Sequence, residues 1–143
     1  MFTTAFEGGL NYWAQAVTYH WMNPDRKPES RITDDDYMDL DGFYATIIST
    51  EGDWGVDRLS TGYALGENEP IRVDIDVLER GTNLMVEKVI AAAVSEDPRA
   101  PFSRKYLRQF VIQWLTDGSE GDSDAEVADM VVQLGLFGEV VYG

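Results

Sequence analysis

The sequence predicts an α+β fold of about four helices with a small antiparallel β-sheet between the first and second helix. Three observations carry that expectation. Apolar residues recur at helical spacing near the start, past the middle and at the end of the chain. The run Ile71-Arg72-Val73-Asp74-Ile75 alternates between apolar and charged residues, and clusters of Gly, Asp and Pro separate the two kinds of pattern. With 143 residues, 44% of them hydrophobic, the chain fits a single globular domain over residues 1–143 that can bury a core.

Taken in order, Thr4 and Glu7 have the spacing of a capping box, although Gly8 and Gly9 weaken the turns that would follow. Leu10, Trp13, Val17 and Trp21 then fall on one helical stripe, flanked by Tyr12, Ala16 and Tyr19, so a first helix is expected here, stopped by Asn23-Pro24-Asp25. The β-branched and aromatic run Phe43 to Ser49 predicts a strand, Arg58 to Leu65 a weaker one, and Ile71 to Ile75 a strand with one buried and one wet face. Asp76 and Glu79 repeat the capping-box spacing ahead of a second helix from Val77 to about Val94. Leu78, Gly81, Met85, Val89 and Ala92 lie along one of its sides, and Glu96-Asp97-Pro98 ends it. Ser103 is the expected N-cap of a third helix, closed by Gly118, with Phe102 stapled on Leu107. Ser123 and Glu126 open the last helix, which runs through Val127, Ala128, Val131, Val132 and Leu134 towards Gly135 or Gly138.

The net charge is −15, and the acids are unevenly spread. Residues 33–76 hold twelve acids against Arg58 and Arg72, and residues 117–143 hold seven acids and no base. Such a balance predicts no direct binding to nucleic acid and none to an anionic membrane. The one basic island, Arg99, Arg104, Lys105 and Arg108, makes the exposed side of the third helix a candidate partner surface through Arg104, Lys105 and Arg108. The absence of cysteine suits a reducing compartment; no basic stretch leads into an apolar run near the start and no 18-residue apolar stretch occurs, so neither a signal peptide nor a membrane span is expected.

Chemistry is sparsely marked. His20 is the sole histidine, with no Ser, Cys or second His at a telling distance, and a half-buried structural role outweighs a catalytic one. Asp39-Leu40-Asp41-Gly42 suggests calcium, but Tyr37 and Ile48 stand where a helix-loop-helix calcium site needs acids. No carboxylate pair has metal-ligand spacing, so no metal, cofactor or catalytic residue is assigned, and enzyme is the minority reading.

The two ends are more distinctive. The opening Thr4-Ala5-Phe6-Glu7-Gly8-Gly9-Leu10-Asn11-Tyr12-Trp13 and the end Ala128-Asp129 through Gln133 to Phe137-Gly138-Glu139-Val140-Val141-Tyr142-Gly143 resemble a family of small proteins encoded by tailed phages of actinobacteria. The family's openings are of the type T-A-F-E-G-G-x-N-Y-W and its ends of the type A-D-x-x-x-Q-x-x-x-F-G-E-V-V-Y-G. The resemblance covers both termini and the middle only in outline, and no activity is established for the group. It implies a phage accessory protein acting in the host cytoplasm, of a kind suspected of host takeover or counter-defence and in some cases toxic when expressed alone.

Glycines on or beside both terminal stripes allow close packing, which would bring Glu7, Asn11 and Glu139 together. The candidate binding residues are accordingly Glu7, Gly8, Gly9, Asn11, Tyr12 and Glu139. Small residues that merely permit packing are the simpler account of the same pattern. Three functional readings stay open: a factor that binds a host protein, an acidic DNA mimic that inhibits a DNA-binding protein, and a small-ligand-binding or sequestering protein. The apolar end Val140-Val141-Tyr142 either tucks into the core of a monomer or offers a homodimer surface.

Overall fold

The computed structural model describes residues 5–20, 44–94, 111 and 125–143. A π-helical turn, Ala5–Gly9, leads into strand β1, Ala14–His20. Strands β2, Tyr44–Ser49, and β3, Ile71–Asp74, complete an antiparallel sheet of order β1-β2-β3. Two helices follow the sheet: α1, Ile75–Val94, and α2, Ala125–Phe137.

The expected arrangement of about four helices with the sheet between the first and second is therefore corrected. Among the described residues there are two named helices, and the sheet precedes both. The expected third helix lies outside the described residues except for Val111, which is helical, and so do the acidic turn at 34–42 and the basic residues Arg104, Lys105 and Arg108.

The expected first helix fails for a local reason. The amide of Leu10 donates to the Ala5 carbonyl at 3.0 Å, closing one wide turn, and Trp13 and Ala14 both donate back to the Leu10 carbonyl at 3.0 and 2.9 Å. The chain then extends and pairs with β2. Register shifts between Ala16 and Thr18, leaving Val17 as the additional residue on β1. That irregularity breaks the two-residue alternation by which a strand is read, while Leu10, Trp13 and Val17 keep a helical spacing by coincidence. Leu10 and Trp13 are buried, whereas Val17 is exposed.

The other two strands follow their patterns. Ala45, Ile47, Ile71 and Val73 point into the core, and Arg72 between the last two is exposed, ion-paired with Asp74 at 3.1 Å and lying 4.0 Å from the ring centre of Tyr44. The expected strand at 58–65 reduces to an isolated bridge between Arg58 and Ala64. This loop is anchored by Trp54, buried in the core, whose indole N–H donates to the Glu69 carbonyl at 2.7 Å.

Strand β3 runs directly into α1. Asp74, not the expected Asp76, is the cap, its Oδ1 accepting the Val77 amide at 3.3 Å, and Asp76 sits in the first turn, where its charge meets the positive end of the helix dipole. Helices α1 and α2 cross at two glycines: a Cβ on Gly81 would run into the Val131 carbonyl, and one on Gly135 into the Val77 carbonyl. This backbone-to-backbone approach buries Val77, Met85, Val131 and Leu134. At the end of α2 the free carbonyls find donors from elsewhere. Gly135 accepts from Ser60 Oγ at 2.8 Å and Arg80 Nε at 3.3 Å, and Leu136 accepts the Ser60 amide at 2.6 Å.

Candidate functional site

Where the two ends of the chain meet, their side chains form one polar network set in an aromatic cage. Asp129 and Gln133 lie one turn apart on the inner face of α2, so their side chains are neighbours, and Gln133 Nε2 donates to Asp129 Oδ2 at 2.8 Å. Both are buried: Asp129 is 4% exposed and Gln133 not at all. Burial at that depth demands that every polar atom be met.

The opening segment supplies the partners of Asp129. Tyr12 donates its hydroxyl to Oδ2 at 2.7 Å, and Trp13 donates its indole N–H to Oδ1, also at 2.7 Å. The closing segment satisfies Gln133, whose Oε1 accepts the amides of Val141 and Tyr142 at 2.9 and 2.8 Å while Nε2 also donates to the Tyr142 carbonyl at 3.0 Å. These partners fix which end of the amide is oxygen, and they pin the residues after α2 against it.

Aromatic rings enclose the network. The Tyr142 ring stacks on Trp13, with centroids 4.8 Å apart and planes 8° from parallel. Phe137 and Trp54 meet Trp13 edge-on at 5.8 and 6.3 Å. Tyr142 also donates its hydroxyl to the Trp54 carbonyl, tying the closing segment to the 50–70 loop. Gly9 allows the opening turn to lie against α2, since a Cβ there would sit 2.6 Å from the Ala125 carbonyl oxygen and 3.2 Å from Asp129 Cβ.

Electrostatics follow from the burial. Desolvation pushes the Asp129 carboxyl above its ordinary value, the three donors pull it back, and the charge of Glu126 pushes it up again. The Tyr12 hydroxyl is raised well above the ordinary phenol value, first by burial and then by its bond to Asp129 and that carboxylate's charge. The Tyr142 hydroxyl is raised by burial and by the acids Asp53 and Glu51.

The network forms the floor of a half-open cleft of about 540 Å³. It is lined by Gly9 and Tyr12 from the opening segment, Ala125, Glu126, Asp129 and Met130 from α2, and Val140, Tyr142 and Gly143 from the closing segment. That volume suits a small ligand or a large side chain of a partner.

Of the candidate residues, Gly9 and Tyr12 line the cleft. Asn11 and Glu139 are exposed and are not part of its lining. Glu7 and Gly8 belong to the π-helical turn, but their side-chain surroundings, like those of His20 at the end of β1, lie outside the described residues. The ends do pack together, but through a turn and the Tyr12-Trp13 pair rather than through a first helix. Asp129, Gln133, Trp13 and Tyr142 were not among the candidates. Their signal was the four-residue spacing of Asp129 and Gln133, which places an acid and an amide on one face of a helix. Among the described residues no group of three or more acid, His or Cys side chains is placed to hold a metal ion, and no helix is long and apolar enough to cross a membrane. Compared with known proteins, the chain matches no family model, no curated protein and no solved structure.

Proposed function

We propose that the protein is an accessory factor that works by binding a host protein, and that the cleft beside Tyr12 and Met130 anchors that partner. One observation carries the reading: residues of both terminal motifs converge on a single network that floors an open cleft. Holding the ends together would require only buried contacts. Tyr12, however, keeps 55% of its surface exposed while its hydroxyl is fixed to Asp129, and a rigid aromatic held at the surface is the kind of residue that anchors interfaces. The phage origin and the host cytoplasm rest on the resemblance of the terminal motifs, and takeover, counter-defence or growth inhibition are the outcomes that follow from it. The net charge of −15 favours a basic partner, with association that weakens as salt rises.

The test is affinity capture from an actinobacterial lysate with the wild type, Met130→Trp, which fills the cleft, and Glu139→Trp, which adds the same bulk on an exposed position outside its lining. The reading expects a partner held by the wild type and Glu139→Trp and lost by Met130→Trp. A partner retained equally by all three would overturn it.

A further inference from the structure

Resting on the cleft as a partner's anchor, we propose that it takes an arginine side chain of that partner, with the guanidinium between the carboxylates of Glu126 and Asp129 and the alkyl stem along Met130 and Val140. Glu126 and Asp129 are three apart on α2 and both line the cleft, one at its rim and one in its floor. Residues so spaced share a helix face with Cβ atoms about 5–6 Å apart, a span that a planar, multi-donor cation can bridge.

The floor has capacity for a further donor. Asp129 Oδ2 accepts from Tyr12 and Gln133, whereas among the described residues Oδ1 accepts one bond, from Trp13, and each carboxylate oxygen has two lone pairs. The charge of Glu126 adds to the burial that makes ionised Asp129 unfavourable, and a cation between them relieves both. Helix N-termini ordinarily draw anions, but these two carboxylates already supply that charge at the start of α2, so an anionic ligand would meet repulsion. Met130 and Val140 offer apolar wall to a stem, and the half-exposed Tyr12 ring offers a face to a cation. Arginine suits the site better than lysine because it is more weakly hydrated, stacks on aromatic rings and reaches two carboxylates at once.

The test is an NMR titration of the intact protein with n-butylguanidinium and with n-butylurea, its neutral analogue of nearly the same shape. The expected result is a saturable shift of the Trp13 indole N–H and of the Gly9 and Met130 amides with the guanidinium. Binding of the urea should be about tenfold weaker or worse, the loss of one charge-assisted contact. Glu126→Gln, at an exposed position, should weaken guanidinium binding several-fold. Asp129→Asn should weaken it further wherever it remains folded. Equal binding of the two probes, no shift at the cleft, or full affinity in Glu126→Gln would each overturn the proposal. Any of these would leave the broader reading standing if Met130→Trp still lost the captured partner, and both fall if it did not.

Discussion

The indole N–H of Trp13 donates to Oδ1 of Asp129 at 2.7 Å across 116 positions of sequence. Around this bond the opening turn, the last helix and the closing segment become one unit, because Asp129 also holds Tyr12, and Gln133 one turn on holds the backbone of Val141 and Tyr142. The terminal motifs are thus two halves of one structure, and the cleft lies where they meet.

Asp129→Asn puts an amide donor among the donors of Tyr12, Trp13 and Gln133. At least one of them loses its acceptor inside the core. The expected cost is about 2–3 kcal/mol in urea unfolding near pH 7, the usual penalty of an unmet buried polar group. A change below about 0.5 kcal/mol, typical of surface positions, would mean that the network is not formed in solution.

The pH dependence has a definite sign. Burial holds the Asp129 carboxyl above its ordinary value of 3.8, so the unfolded chain releases this proton before the folded one does. The stability linked to its proton is fully present below pH 3.8 and is lost as pH rises through the higher folded value, while the bonds accepted from Tyr12, Trp13 and Gln133 remain. The stability advantage of the wild type over Asp129→Asn should therefore shrink on going up through that window. A carbon-detected NMR titration of the Asp129 carboxyl should give a midpoint above 3.8, and a midpoint at or below it would contradict the assignment.

Gly81→Ala and Gly135→Ala each drive a methyl into a backbone carbonyl of the opposing helix, of Val131 and Val77 respectively. A backbone atom cannot rotate away as a side chain can. Each substitution should cost about 3 kcal/mol or more, at or beyond the upper end of overpacking effects. Chemical unfolding measures the loss, and wild-type stability in either variant would show that the helices do not cross there.

Tyr142→Phe removes the hydroxyl bond to the Trp54 carbonyl and keeps the stack on Trp13. It should cost about 1 kcal/mol. Tyr142→Ala removes both and should cost about 3–5 kcal/mol, as for other large aromatics cut to Ala. Equal losses in the two variants would show that the stack contributes little.

Legibility followed pattern length and regularity. Helices α1 and α2 were readable because each sustains an apolar stripe over several turns, β2 because its run is β-branched and aromatic, and β3 because its apolar and charged residues alternate. The opening segment was misread because Leu10, Trp13 and Val17 mimic a helical stripe while the irregularity at Val17 hides the strand. The cap of α1 was displaced by two residues because Asp74 serves at once as the last residue of β3 and as the cap. At the site, Gly9 and Tyr12 were legible as a close approach and a rigid aromatic. Asp129 and Gln133 were passed over because an acid and an amide within an apolar helix declare themselves only when donors from the other end of the chain are placed against them.

The most direct measurement is the dissociation constant of a partner captured from the lysate, once purified, for the wild type and for Met130→Trp at matched folding. The cleft account predicts affinity at least about tenfold weaker in the variant, a loss of about 1.4 kcal/mol or more. Equal affinity would contradict it.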